Sequence, residues 1–305
     1  MKKLNLFSGI AVIALFLGMS FTSCKSTTND PNAGKTDPST IATADLVAYF
    51  PFNGNGKDSI TGLAPIASGN VTYATAQRKA GFQGNNVGYF LYNLPATSKL
   101  RTLKAFSVAM WLNEPQIPNG VDPVPMILQI TNDDDYFWGN LSLSQDRMGT
   151  LTPLAPVDSL GLKAVFHSQT AVWNNQFITF ANPAIKASKW MHLIYQYDNV
   201  SSTFTVYVNG AKLTGAGPTS WAKRYADAKP VTGVQPPFGD MVFNKPSQLI
   251  LGGGWATKVI QTPAATDAWM GWFNGTMDEL RIYDRALTDT EVQSLYAAEV
   301  TQLNP

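Results

Sequence analysis

Short apolar runs bounded by Gly, Pro or Asn recur along most of the chain. "LVAYFPF" (46–52), "FSVAMWL" (106–112), "MILQI" (126–130), "LSLS" (141–144), "LKAVF" (162–166) and "FITF" (177–180) are too short for helices and rich in β-formers. "WMHLIYQYD" (190–198), "TFTVYVNGAKL" (203–213), "QLILGGG" (248–254) and "DELRIYD" (278–284) continue the pattern. Within 203–213, Asn209 and Gly210 predict a type I′ hairpin, because both central turn positions need φ > 0. One helix is well marked. Thr288 and Glu291 make a capping box, and Leu287 and Val292 occupy the positions of a hydrophobic staple. Val292, Leu295 and Tyr296 then form a narrow apolar face. Ten or more short strands with one terminal helix predict an all-β chain, folded as a two-sheet antiparallel sandwich with a short C-terminal helix.

The two ends of the chain differ in kind. "MKKLNLFSGIAVIALFLGMSFTSCKS" starts basic, turns apolar and ends in small residues before Cys24, the pattern of an export signal. Gly9, Gly18 and Ser20 break its apolar run, which argues against a spanning helix. Cys24 is the only cysteine, so the chain forms no intramolecular disulfide. Residues 25–44 are rich in Ser, Thr, Asn and Pro with little apolar content and predict a flexible tether. The expected organisation is a signal at 1–23, a tether at 24–44 and one domain over 45–300.

Composition narrows the function classes. Of the 305 residues 45% are hydrophobic and only 14% charged, ample for one large core. Formal charge is +1; without residues 1–23, 20 basic groups face 21 acidic ones. No basic footprint marks a nucleic-acid partner.

Several motifs together resemble the laminin G-like, concanavalin A-like lectin/glucanase superfamily. "LVAYFPFNGNGKDSITG" is similar to its opening strand and loop, "FSVAMWL" to an early strand, and "KWMHLIYQYDNVSSTFTVYVNGAKL" to its "W-x-H…Y-D…Y-V-[ND]-G" segment. "GTMDELRIYDRALTDTEVQSLY" is similar to its closing motif and is the most specific of the four. The resemblance runs over about 45–298; stretches at 113–125, 145–160, 214–247 and 255–273 lie outside it and read as loop insertions. It implies a jelly-roll sandwich that binds glycan or protein more often than it catalyses. Thr22, Ser23 and Cys24 also resemble a bacterial lipobox, with Phe21 in place of leucine. That resemblance implies cleavage before Cys24 and lipidation of it, the alternative being a plain secretory signal. Lys25 rather than aspartate after the cysteine points to the outer membrane of a Gram-negative cell, with the lipid anchor as the only membrane contact.

The adjacent acids Asp278 and Glu279 invite a glycosidase reading, which strand geometry opposes. Neighbouring side chains of a strand point to opposite faces, so Asp278 goes with Leu280 and Ile282 toward the core and Glu279 pairs with Arg281. Two catalytic carboxyls need one shared cleft. The "E-x-D-x-E" triplet of the superfamily's glucanases does not occur. A carboxylate on an apolar face needs a partner. Asn53, Asn55 and Asp58 in "FNGNGKDS" supply hard oxygen ligands, so a structural Ca²⁺ between that loop and Asp278 is expected, a hydrogen-bonded turn being the alternative. Asp133, Asp134 and Asp135 offer a second cation or sugar site, or a solvated loop.

Trp111 and Trp190 lie in family strands and belong to the core. Trp138, Trp173, Trp221, Trp255, Trp269 and Trp272 sit in or beside the insertions, with Tyr225 close to Trp221. Aromatic faces in sandwich loops suit sugar rings, although several could cap sheet edges instead. His192 fits a structural role, and no Ser or Cys arrangement around it or His167 makes a nucleophilic triad. The leading expectation is a lipid-anchored, non-catalytic glycan-binding protein of the cell envelope, capturing polysaccharide for uptake. A protein-binding module of the same fold comes second. A glycosidase using Glu114, Asp122, Asp135 or Asp146 comes third.

Overall fold

The computed structural model describes residues 36–85, 87–117, 123–146, 158–167, 175–214, 223–226 and 235–300. Sixteen strands are described: β1 (Leu46–Phe50), β2 (Ala67–Ser68), β3 (Thr72–Thr75), β4 (Ala80–Gln83), β5 (Phe90–Asn93), β6 (Phe106–Asn113), β7 (Val124–Ile130) and β8 (Leu141–Asp146), then β9 (Ser159–His167), β10 (Asn175–Lys186), β11 (Met191–Asp198), β12 (Thr203–Val208), β13 (Ala211–Lys212), β14 (Gln248–Leu251), β15 (Met270–Gly271) and β16 (Thr276–Tyr283). Sheet A has the order β13-β12-β11-β6-β16-β4-β3, with β1 also on β16. Sheet B has the order β10-β9-β8-β7-β14-β5-β2, with β15 parallel to β7 and every other pairing antiparallel. This is the two-sheet antiparallel sandwich the sequence predicts.

Alternation builds the core. Phe106, Val108, Met110 and Leu112 of β6 join Leu193, Tyr195 and Tyr197 of β11 in one cluster. Sheet B faces them with Leu128, Ile130, Leu143, Leu162, Phe166 and Phe180. Both faces of sheet A are covered at its centre, so β6 and β11 read as near-continuous apolar runs. The second cover is α2 (Asp289–Val300), which lays Val292, Leu295 and Ala298 on Ala109, Ile194, Tyr207 and Tyr283. Its N-terminus carries the predicted box: Glu291 N–H donates to Thr288 Oγ1 at 3.2 Å, and Thr288 N–H donates to the Glu291 carboxylate at 2.8 Å. Leu287 and Val292, the predicted staple, lie in the same apolar cluster. The Asn209-Gly210 hairpin also forms, with φ of 51° and 77°, between Val208 and its partner Ala211.

The closing strand departs from regular alternation, and with it the expected place of Asp278. Met277, Leu280 and Ile282 all face the core. Asp278 lies opposite Trp111 and Arg281 opposite Ala109, so Glu279 and Leu280 together oppose Met110. That is a β-bulge, and Glu279 takes up the extra length at φ 52°. Asp278 and Glu279 therefore both turn away from the core, toward α2 and Tyr49, which corrects the alternation argument.

Beneath α2 this outward side forms a buried charged network. Glu279 accepts from Arg281 at 2.9 Å, as expected, and also from Arg78 at 2.9 Å and Tyr49 Oη at 2.5 Å. Arg281 also pairs with Glu299 of α2, and its guanidinium lies 4.1 Å from the centre of the Tyr49 ring. Glu299 accepts from Trp111 Nε1 at 2.7 Å and lies 3.3 Å from His192 Nε2. Burial alone raises the Glu299 pKa, but Arg281, His192 and Trp111 together bring it below the usual glutamate value. His192 is buried among these groups, in the structural role expected of it.

Candidate binding surface

The outer face of sheet B alternates with its core positions. Where Leu162, Ala164, Ile178 and Phe180 point inward, Lys163, Thr179 and Phe177 point outward. Asp146 of β8 accepts from Lys163 Nζ and from Thr179 Oγ1, each at 2.9 Å. The half-buried Trp138 lies over this pair, with Lys163 Nζ 5.7 Å from its ring centre. Phe177, 42% exposed, meets the same indole edge-on at 5.1 Å and 80°. An aromatic wall thus stands beside a neutralised, hydrogen-bonding floor.

The loop that carries Trp138 is held from several sides. Asp135 accepts the N–H groups of Phe137 at 3.0 Å and Trp138 at 3.4 Å. Gln129, buried on the outer face of β7, donates to the carbonyls of Tyr136 and Phe137 and accepts from Ala256 N–H at 2.9 Å. One amide therefore ties the loop to the start of α1 (Ala256–Val259). Behind Trp138 pack Trp255 and Phe137, and Trp269 packs in turn against these two. Trp255 is only 1% exposed and donates Nε1 to the Val124 carbonyl at 2.9 Å. It is a support for the surface and is closed to any ligand.

The predicted aromatics thus separate. Trp138, Trp255 and Trp269 form one cluster, with only Trp138 on the polar floor. Trp272 is half-buried elsewhere on sheet B, stacked with Tyr89 at 6.3 Å and 22°. Tyr225 is 42% exposed and bridges Pro237, its carbonyl accepting from Gln176. Trp173, Trp221 and Cys24 lie outside the described residues. Phe177, Lys163 and Thr179 escaped the sequence reading, although their alternation with core residues in "LKAVF" and "FITF" carried the signal.

The expected calcium ligands Asn53, Asn55, Asp58 and Asp278 all accept hydrogen bonds. Asp58 is buried and accepts N–H groups from Tyr49, Ile60 and Thr61 and the Thr61 hydroxyl. Asn53 accepts from Ala80 N–H at 3.4 Å and Asn55 from Lys57 N–H at 2.9 Å. Asp278 accepts from Arg78 N–H at 2.8 Å and Glu279 N–H at 2.9 Å, while burial and the neighbouring Glu279 push its pKa up to about 8. Among the described residues no group of three or more His, Cys, Asp or Glu is placed to hold a metal ion. Asn53 and Asp278 do meet in another way: both hold the turn between β3 and β4.

Two acids of the 133–135 run are held by neighbouring side chains. Asp134 pairs with Lys245 at 2.8 Å and accepts from Asn244, and Asp133 accepts from the Ser247 hydroxyl. Glu114 is fully buried, and among the described residues neither carboxylate oxygen has a hydrogen-bond partner. Burial pushes its pKa up to about 8. Asp122 lies outside the described residues. A crevice of about 630 Å³ opens between loops 58–64 and 95–100, walled by Leu46, Val47, Ile60, Leu63, Pro95 and Leu100.

No protein-family model and no curated protein matches the chain. Solved structures do. The binding domain of botulinum neurotoxin DC in complex with rat synaptotagmin II is similar over 84% of this chain and 52% of that one, at 12% identity and a TM-score of 0.53. The botulinum neurotoxin serotype G binding domain is similar over 83% and 50%, at 15% identity and 0.51. Domain 4 of AbnA, a GH43 extracellular arabinanase from Geobacillus stearothermophilus, in complex with arabinotriose, is similar over 82% and 98%, at 20% identity and 0.47. The chain spans about half the length of the neurotoxin chains it matches. At these identities the likeness is one of fold, a β-sandwich.

Proposed function

We propose that the chain is a non-catalytic glycan-binding domain whose ligand lies on the Trp138–Phe177 surface of sheet B. The observation that carries this is the indole of Trp138 beside a floor of Lys163, Asp146 and Thr179. An apolar sugar face suits the ring, and paired polar groups suit ring hydroxyls. Support for the fold's use in recognition comes from neighbours described as binding domains, one in complex with rat synaptotagmin II and one with SialylT. The non-catalytic part rests on the acids: Glu114 is sealed from solvent, Asp135 is spent on a turn, and Asp146 is paired.

The finer reading adds the leader. Lipidation at Cys24 would hold the domain to the outer membrane by a tether, where a bound polysaccharide could pass to an uptake system. The apolar crevice beside Ile60 favours a second reading, a protein partner at the cell envelope.

Affinity electrophoresis of the lipid-free domain tests the first reading, with arabinan, xylan, mixed-linkage β-glucan, mannan and dextran in the gel. Retardation by at least one polymer, weakened about tenfold, or 1.4 kcal/mol, in Trp138→Ala, is expected. No retardation by any polymer sinks it. Reducing-sugar release in the same samples overturns the non-catalytic part. Radiolabelled palmitate incorporated by wild type but not by Cys24→Ala tests the anchor.

A further inference from the structure

Sheet B carries a second pair of half-buried rings that the proposed surface does not use. Tyr89 precedes β5 and shares the outward parity of Leu91, and Trp272 stacks with it at 6.3 Å and 22°. Among the described residues the other near-parallel ring pairs join buried phenylalanines inside the sandwich. The Tyr89–Trp272 pair instead lies on bare backbone. A Cβ at Gly254 would sit 2.9 Å from the Trp272 ring, and one at Gly69 would sit 2.9 Å from the Tyr89 ring. A Cβ at Gly253 would strike the Cβ of Tyr89. Three glycines thus let the two rings pack close to backbone, while both residues stay partly exposed. A nearly parallel, partly exposed ring pair suits the apolar face of a sugar, and the Trp138 cluster, whose indoles meet at 65° and 70°, does not offer such a pair.

We infer that Tyr89 and Trp272 form a second sugar-stacking surface, so that one polysaccharide chain engages both ends of the same sheet face. This rests on the glycan-binding reading above. The two surfaces flank the start of α1, where Gly254 meets Trp272 and Trp255 meets Trp138. Lys163, beneath Trp138, is on β9, and β5 is four strands away across β8, β7 and β14. At the ordinary spacing of strands that is about 19 Å. A short oligosaccharide reaches one surface, whereas a polymer reaches both and gains the effective concentration of a tethered second contact.

The test compares Trp138→Ala, Trp272→Ala and Tyr89→Ala, on the polymer that retards the wild type and on trisaccharides cut from it. Either surface lost is expected to weaken polymer binding at least tenfold while trisaccharide affinity stays within threefold for the variants at the other surface. Because Trp272 also packs on backbone, the unsubstituted protein supplies a second readout. Hydroxyl-radical oxidation of Trp138 and Trp272 is followed by mass spectrometry with and without the polymer. Protection of both supports the inference. Protection of Trp138 alone, or Trp272→Ala and Tyr89→Ala with wild-type polymer affinity, overturns it and leaves the first surface standing. Wild type that binds no polymer overturns both.

Discussion

Glu114 gives the sharpest test of the physical reasoning, because one atom changes and one variable is scanned. Its carboxyl is fully buried, without a hydrogen-bond partner among the described residues, and its pKa stands at about 8 against an ordinary 4.5. The folded state therefore keeps the proton across a range where the unfolded chain has lost it. Stability falls by about 1.4 kcal/mol per pH unit between pH 4.5 and 8 from this group alone, and levels off above. Summed over the window, the loss is roughly 3–5 kcal/mol. Glu114→Gln keeps the shape and cannot ionise, so the difference between variant and wild type isolates this group from Asp278, whose raised pKa acts the same way in both. The expected result is near-equal Tm at pH 5 and a variant more stable by about 6–10 °C at pH 9, at about 2 °C per kcal/mol for a domain of this size. Differential scanning calorimetry at half-unit pH steps measures it. A Tm difference that stays constant from pH 5 to 9 refutes the argument, because it would mean that Glu114 ionises in the folded protein as readily as in the unfolded one.

Arg281→Met leaves Glu279 and Glu299 without their shared cation and is expected to cost about 3–5 kcal/mol in urea unfolding, part of which Glu299→Gln added to it restores; additive losses would show that the pair is not coupled. Hydrogen bonds from Arg285, outweighing burial, hold the Glu291 pKa down to about 2, so its stabilisation is complete above pH 4.5 and disappears as pH falls toward 2. Glu291→Ala should cost about 1–2 kcal/mol at pH 7, after allowance for its exposure, and nothing near pH 2. EDTA is expected to leave Tm within 1 °C of its value in buffer, roughly the reach of a few tenths of a kcal/mol; a larger fall would restore calcium to the loop of Asp58.

The sandwich was legible because most of its strands are buried on one face or both, so period and composition mark them. Strands β2, β3, β4, β5 and β15 were missed because they are short. They have four residues or fewer, and β2 and β3 lie at sheet edges where an exposed Thr72 or Tyr73 obeys no burial pattern. The capping box and the Asn209-Gly210 turn were readable because each is a local interaction. Asp278 was misplaced because a bulge is set by what packs on either side of the strand, here Met277 and Leu280 against the core and Arg281 against α2. Trp255 and Trp138, both in loops, differ only in which one the neighbouring chain covers. That difference is a property of tertiary contacts.

The bulge at Glu279 also bears on how the closing strand can tolerate changes in length. Along a regular strand, removing one residue turns every later side chain inside out, and the core residues Leu280 and Ile282 would face α2. At Glu279 the extra residue is already accommodated, so its deletion leaves Met277 and Leu280 pointing inward with Asp278 between them. The strand's phase is preserved there, and what is lost is the clasp on Arg281, Arg78 and Tyr49. A gap of one residue in β16 is therefore expected to be survivable within the bulge, at Asp278 or Glu279, and ruinous elsewhere in the strand, which makes the site a natural seam for length variation in a fold that otherwise forbids it.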